Sequence, residues 1–215
     1  MAADIIPALL VRSKRELEAS LERLVHVAPW VQVDFVASNY MEGGETFPLW
    51  EEFNFEVDLM LLHPAQEVES MVRLGASRVV VHAANAESKQ ALELLQQYRS
   101  GDFAVEVGVA LRAHDTPDAL QGLDGQYDYV QVMGIDREGA QGEPPDPHHK
   151  EVELVRALRA KYPTLLIQVD GAAAAHPREL VEAGANRLVV GGAIVNADNP
   201  KTIYKSLYNE ANGSH

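Results

Sequence analysis

The chain has 215 residues, 47% of them apolar and 23% charged, which suits one α/β domain with a full core. It has no cysteine, so disulfide and thiolate chemistry are excluded, and no apolar run approaches the ~18 residues that span a bilayer. The formal net charge of −14 argues against nucleic acid, whose phosphates it would repel, and an anionic substrate must be met locally by backbone amides or a few placed Arg and Lys residues.

Candidate strands alternate with candidate helices from end to end. Ile5–Leu10 reads as a first strand, and Met1–Leu10 lacks the basic start of a signal peptide, so a cytoplasmic protein is expected. Ser13 can cap a helix to about Val27, with Leu17, Leu21 and Leu24 on one face. Val31–Val36 and Phe55–Leu61 are the second and third strands, and Pro64 opens a helix to about Leu74. Arg78–His82 is the fourth strand, followed by a helix carrying Leu92, Leu94 and Leu95. Val105–Leu111 is the fifth, with a short helix after Thr116-Pro117, and Tyr129–Met133 is the sixth. A long helix from about Pro147 to Lys161, with Glu151–Leu158 as a plain core face, leads to Leu165–Val169. A helix then leads to Leu188–Val190, and Asn199-Pro200 starts the last helix.

Short continuous apolar runs separated by helices indicate parallel strands. Eight such units predict a single (β/α)₈ barrel over residues 1–211, with 212–215 as a tail. Gly75-Ala-Ser-Arg-Val-Val-Val echoes Gly184-Ala-Asn-Arg-Leu-Val-Val, through duplication of a half-barrel or convergence of two helix-to-strand turns. Two long loops, Ala37–Asn54 and Gly134–His149, mark the functional end of such a barrel.

Leu165–Ile194 is the most telling stretch. Asp170 ends the seventh strand and Gly171-Ala172 follows; Gly191, Gly192 and Ala193 follow the eighth. Paired small residues after this pair of strands can cradle a phosphate on backbone N–H groups, or serve close packing alone. Asp34 and Asp170 end strands, where they act chemically or bond strand-end amides. Asp58, within FEVDLML, needs a partner or a proton, whether as a site residue or in a structural ion pair. His82 is a core residue or a site residue, and Arg112 meets the substrate or pairs with Asp115. His148-His149 and Asp146 lie in a Pro-rich loop and read as solvated.

In order and interval, these pieces resemble the ribulose-phosphate 3-epimerase family, a (β/α)₈ barrel of the ribulose-phosphate-binding type. The resemblance rests on Ile6-Pro7-Ala8-Leu9-Leu10, Val31-Gln-Val-Asp34-Phe, Val57-Asp58-Leu59-Met60 and Val81-His82-Ala83. It continues through Gly108-Val-Ala-Leu111, Val132-Met133 with Gly139-Ala-Gln141-Gly142, Val169-Asp170-Gly171 and Val190-Gly-Gly-Ala-Ile194. It implies an isomerase that moves a proton beside the ketone of a phosphorylated ketose, with Asp34 and Asp170 as acid and base. It also implies a substrate loop at Gly139, Gln141 and Gly142, and a divalent metal held by two aspartates and two histidines.

The departures from the family pattern cluster in this region. Gln32 and Asp58 stand at the two histidine positions, Ala8 at a serine, Ala37-Ser38 at an Asp-Gly, Ala172 at a glycine and Gly192 at a serine. Gln32, Asp34, Asp58 and Asp170 would form an all-oxygen set, so zinc or iron is not expected, and the cofactor is none or Mg²⁺, Mn²⁺ or Ca²⁺. The expected partner is a small phosphorylated sugar, with no nucleic acid or membrane, and a homo-oligomer is left open. The rival reading is a non-catalytic, repurposed or designed barrel that binds a phosphorylated metabolite after losing the metal site.

Overall fold

The computed structural model describes residues 2–10, 13–36, 50–101, 104–135 and 148–213. Its strands are β1 (Asp4–Leu10), β2 (Trp30–Phe35), β3 (Asn54–Leu59), β4 (Ala76–His82), β5 (Glu106–Arg112), β6 (Tyr129–Met133), β7 (Leu166–Asp170) and β8 (Arg187–Val190). They pair in parallel in chain order and close, β8 returning to β1 through Asp4↔Arg187 to Pro7↔Val190. The chain is a (β/α)₈ barrel, the expected fold.

The helices lie outside the barrel: α1 (Lys14–Leu24), α2 (Pro64–Arg73), α3 (Ser88–Gln96), α4 (Lys150–Lys161), α5 (Pro177–Ala183), α6 (Gly192–Val195) and α7 (Pro200–Asn212). A short 3₁₀ helix, Pro117–Leu120, fills the position after β5. Ser13 caps α1 by accepting from the Glu16 N–H, and Asn199 caps α7 by accepting from the Thr202 N–H. Leu17, Leu21 and Leu24 are buried on α1 as expected, but the helix ends at Leu24 short of Val27. His26 takes a positive φ of 60°, and Pro29 lies just beyond.

Three further details refine the expected elements. On α3, Ala91, Leu92 and Leu95 are buried and Leu94 is 36% exposed, because a 3.6-residue period carries position 94 round to the solvent side. The turn expected at Gly191–Gly192 is the start of a one-turn helix, α6. Asn212 belongs to α7: its side chain accepts from the Ala3 N–H at 2.7 Å and donates to the Ala3 carbonyl at 3.1 Å. It therefore ties the last helix to the residue that precedes β1.

Alternation along each strand divides the core. Val31, Val33, Phe35, Val57, Val79, Val107, Ile167 and Leu188 pack outward against the helices in one large apolar cluster. The other face of the same strands fills the barrel. Part of that filling is apolar: Val80, Ala110, Tyr129 and Met133 on one side, Ile6, Ala8 and Val189 on the other. A Cβ at Gly108 would lie 2.5 Å from the Tyr129 ring, so the glycine makes room for that side chain.

The rest of the filling is polar. At the amino-terminal base, Arg78 Nε donates to Glu106 Oε2 at 2.8 Å and Arg187 reaches the same oxygen at 3.3 Å. Arg78 also faces Glu56 at 3.8 Å and covers the Trp30 ring, 3.4 Å from its centroid. The two arginines are the matching residues of the internal echo, and both preceding glycines, Gly75 and Gly184, have positive φ. Among the described residues, no helix is long and apolar enough to cross a membrane.

Candidate active site

The carboxyl ends of the strands form the mouth of the barrel. Register places Asp34 beside Asp58, and Asp170 beside Met133. Strand alternation turns all three aspartates inward, where Asp34 is 5%, Asp58 0% and Asp170 8% exposed. The three carboxylates, distant in the chain, thus meet as the sequence leads one to expect. One ligand atom from each lies within 4.8 Å of the others, close enough to hold one metal ion.

Nitrogen donors surround the carboxylates. Gln32 Nε2 donates to Asp34 Oδ1 at 2.7 Å and to Asp170 Oδ2 at 2.8 Å. His82 Nε2 lies 2.8 Å from Asp58 Oδ1, and Gln131 Nε2 donates to Asp58 Oδ2 at 2.7 Å. A longer contact, 3.5 Å, joins Gln131 to Asp170. Beneath them Gln168 Nε2 donates to Gln131 Oε1 at 2.7 Å and to Glu56 Oε1 at 2.5 Å. All three glutamines are fully buried. Proximity fits a metal ion; the direction of the amides does not, because Gln32 presents hydrogens to the oxygens that a cation would share.

Asp170 is pushed up from its ordinary value near 3.8 to about 7. Burial is the main cause and the negative charge of Asp58 adds to it. The hydrogen bond from Gln32 and the charge of His82 act the other way. A carboxyl that titrates near 7 is present in both forms at neutral pH and suits proton transfer.

Two turns border the mouth. After β7, Gly171 and Ala172 have φ of 84° and 56°. Gly134, after β6, donates its N–H to the Asp170 carbonyl at 2.7 Å, and a Cβ there would stand 2.2 Å from the Gly171 carbonyl oxygen. Glycine at 134 lets the ends of β6 and β7 approach, which fixes the backbone that carries Asp170. After β8, Gly191 precedes α6, whose first turn begins with Gly192 and Ala193. N–H groups in a first helical turn have no intrahelical acceptor.

Other named residues are distributed differently. Arg112 ends β5 and is engaged by Asp115: Nη2 lies 2.8 Å from Oδ1, and the Arg112 backbone N–H donates to Oδ2 at 2.9 Å. His149 stacks on His176 with ring centroids 4.5 Å apart. Glu179 and Glu151 pair with them, and His148 is exposed. Ala37, Ser38, Gly139, Gln141, Gly142 and Asp146 lie outside the described residues.

Sequence reasoning missed Gln131 and Gln168. The signal was present: Gln32-x-Asp34, Glu56-x-Asp58, Gln131-x-Met133 and Gln168-x-Asp170 repeat a polar residue two places before a mouth residue. A spacing of two puts both on the same strand face.

The pattern of the Ribulose-phosphate 3 epimerase family matches residues 2–195. The ribulose-phosphate 3-epimerase of Schizosaccharomyces pombe is 27% identical over 220 residues, covering 96% of this chain and 93% of that protein. The cytoplasmic isoform of Oryza sativa subsp. japonica is 28% identical, covering 99% and 96%. Among solved structures, KGPDC from Streptococcus mutans superposes with a TM-score of 0.72 at 14% identity, covering 98% of each chain. The 3-hexulose-6-phosphate synthase of Salmonella typhimurium gives 0.70 at 15%, covering 99% and 100%, so these two neighbours share the fold. With one family pattern running through all eight strands and into the turn after the last, the chain belongs to the ribulose-phosphate 3 epimerase family.

Proposed function

We propose that the chain is an epimerase of phosphorylated ketoses that works by proton abstraction and return between Asp34 and Asp170. The observation that carries this reading is the buried pair itself. One Gln32 amide bridges the two carboxylates, and Asp170 titrates near neutrality. Family membership supplies the class of reaction, and the relatives named above are ribulose-phosphate 3-epimerases.

In this mechanism an ionised aspartate removes the proton from the carbon beside the ketone. The electron pair moves into a planar enediolate, and the other aspartate, protonated, delivers a proton to the opposite face. The two carboxyl groups finish with their protonation states exchanged. His82 and Gln131, which bond Asp58, are nitrogen donors near enough to the mouth to steady the enediolate oxygens. The phosphate sits on backbone N–H groups of the Gly171-Ala172 turn and of Gly191, Gly192 and Ala193, after the two strands that commonly form a barrel's phosphate site. Gly139, Gln141 and Gly142 complete the substrate loop in this proposal.

A second reading, a barrel that binds a phosphorylated metabolite without turnover, is favoured by the filled carboxylates: each already accepts at least one buried N–H. Incubation with ribulose 5-phosphate in heavy water separates the two. The enzyme incorporates deuterium at the epimerised carbon, and Asp34→Asn and Asp170→Asn each abolish incorporation. Phosphate-ester binding without exchange supports the second reading, and exchange undiminished in both variants removes the assigned roles.

A further inference from the structure

The three buried glutamines form one directional row, and its direction is set at the base of the barrel. Tyr129 donates its hydroxyl to Glu56 Oε2 at 2.8 Å, and Arg78 faces that same oxygen. Glu56 Oε1 is left to accept from Gln168 Nε2. Gln168 therefore turns its amide nitrogen toward Glu56, Gln131 Oε1 and, at 3.3 Å, Gln32 Oε1. With their carbonyls drawn inward, Gln131 and Gln32 present N–H groups to the mouth. The arrangement leaves the buried Gln168 Oε1 without a hydrogen-bond partner. Turning Gln168 over would set that oxygen against Glu56 Oε1, acceptor against acceptor.

We propose that this amide row, oriented by Glu56, holds Asp34, Asp58 and Asp170 together in place of a divalent cation and keeps a cation out of the mouth. A cation shared by Asp34 and Asp170 would lie against the Gln32 hydrogens, which carry positive partial charge. To offer its carbonyl instead, Gln32 must turn its N–H groups toward the Gln168 nitrogen. Two buried donors would then face each other without an acceptor, which is unfavourable. His82 and Gln131 hold both oxygens of Asp58 in the same way. Gln168 is a positioning residue on this account, acting through Gln131 and Gln32, and the account holds whichever reaction the mouth carries out.

The probe is Mn²⁺ alone, added to the purified full-length chain and followed by the paramagnetic resonance of the free ion. The unaltered chain leaves the free-ion signal unchanged at millimolar Mn²⁺. Gln168→Met releases the Gln32 and Gln131 carbonyls, so it gains a site at least about tenfold tighter. Glu56→Gln, which can donate to Gln168 Oε1 and let the row reverse, gains one too and serves where Gln168→Met does not fold. One equivalent of Mn²⁺ bound by the unaltered chain at micromolar concentration, and lost in Asp34→Asn, overturns the proposal. So does a folded Gln168→Met or Glu56→Gln chain that binds no better than the original. None of these readings depends on turnover, so a failure of the epimerase reading is seen separately in the deuterium experiment.

Discussion

The two ends of the barrel handle charge in opposite ways. At the base, Glu56 and Glu106 face Arg78 and Arg187, two carboxylates against two guanidinium groups. At the mouth, Asp34, Asp58 and Asp170 share one imidazole, His82, and a set of neutral amides. Burial raises a carboxyl at both ends, Glu56 below and Asp170 above. The neighbours differ. Arg78 pulls Glu56 back down, whereas Asp58 pushes Asp170 further up. The base therefore spends its charges on a fixed geometry, and the mouth keeps a proton that can move. A barrel commonly divides stability and chemistry between its ends in this sense.

The largest effect expected from breaking this contrast is at the base. Arg78→Met removes the cation that faces both Glu56 and Glu106 and lies over Trp30. Removing one partner of a buried ion pair costs roughly 3–5 kcal/mol, an upper bound here because Glu106 is 47% exposed and Glu56, already raised by burial, can take up a proton. Urea unfolding of the variant at neutral pH measures it, and a loss below about 1 kcal/mol would mean that the base is not held by its charges. Asp170→Asn is expected to do the reverse at the mouth. It removes a crowded carboxylate, keeps an acceptor for Gln32, and leaves the chain at least as stable as before at pH ~8, above the range in which Asp170 titrates.

The pH dependence sharpens the same contrast. Asp170 takes up its proton near 7 in the folded chain and near 3.8 when exposed. Between those values the folded chain holds a proton that the unfolded chain has released. The stability from this group is therefore fully present below about pH 4, falls as pH rises through about 7, and is level above that. A displacement from 3.8 to about 7 corresponds to a loss on the order of 4 kcal/mol, at ~1.4 kcal/mol for each tenfold change. Unfolding measured across this window in the unaltered chain and in Asp170→Asn isolates the contribution. Equal slopes in the two proteins would show that Asp170 does not carry it.

Much of the barrel was legible because its outer face obeys simple rules. Val79-Val-Val81 and Leu188-Val-Val190 are apolar runs, and Gly75 and Gly184 end the preceding helical segments with positive φ. The three inward aspartates were legible as lone charges in apolar strands, which only a site or a partner explains. The amide row was not, because glutamine carries no charge and its role depends on which way a neighbour turns it. Gln131 becomes meaningful only once Gln168 and Asp58, from β7 and β3, are placed beside it. The charged base was half legible: the echo aligned Arg78 with Arg187, but their meeting at Glu106 depends on closure of the barrel.

The smallest expected effect lies at the turn after β7, where backbone strain meets the mouth. Ala172 has φ of 56°, in the left-handed region where a Cβ costs roughly 1–2 kcal/mol. Gly171 before it shares the positive φ, and the resemblance places a glycine at position 172 as well. Ala172→Gly removes the steric cost and returns some of it as freedom in the unfolded chain. The net expectation is a stabilisation of up to about 1 kcal/mol, read as a small rise in the urea midpoint with an unchanged slope. The same substitution leaves the Asp170 carboxyl and its Gln32 hydrogen bond untouched, so the pH window of stability should not move. If the pH window shifts with it, the turn and the proton at Asp170 are coupled, and the mouth is less independent of its supporting backbone than the contrast with the base implies.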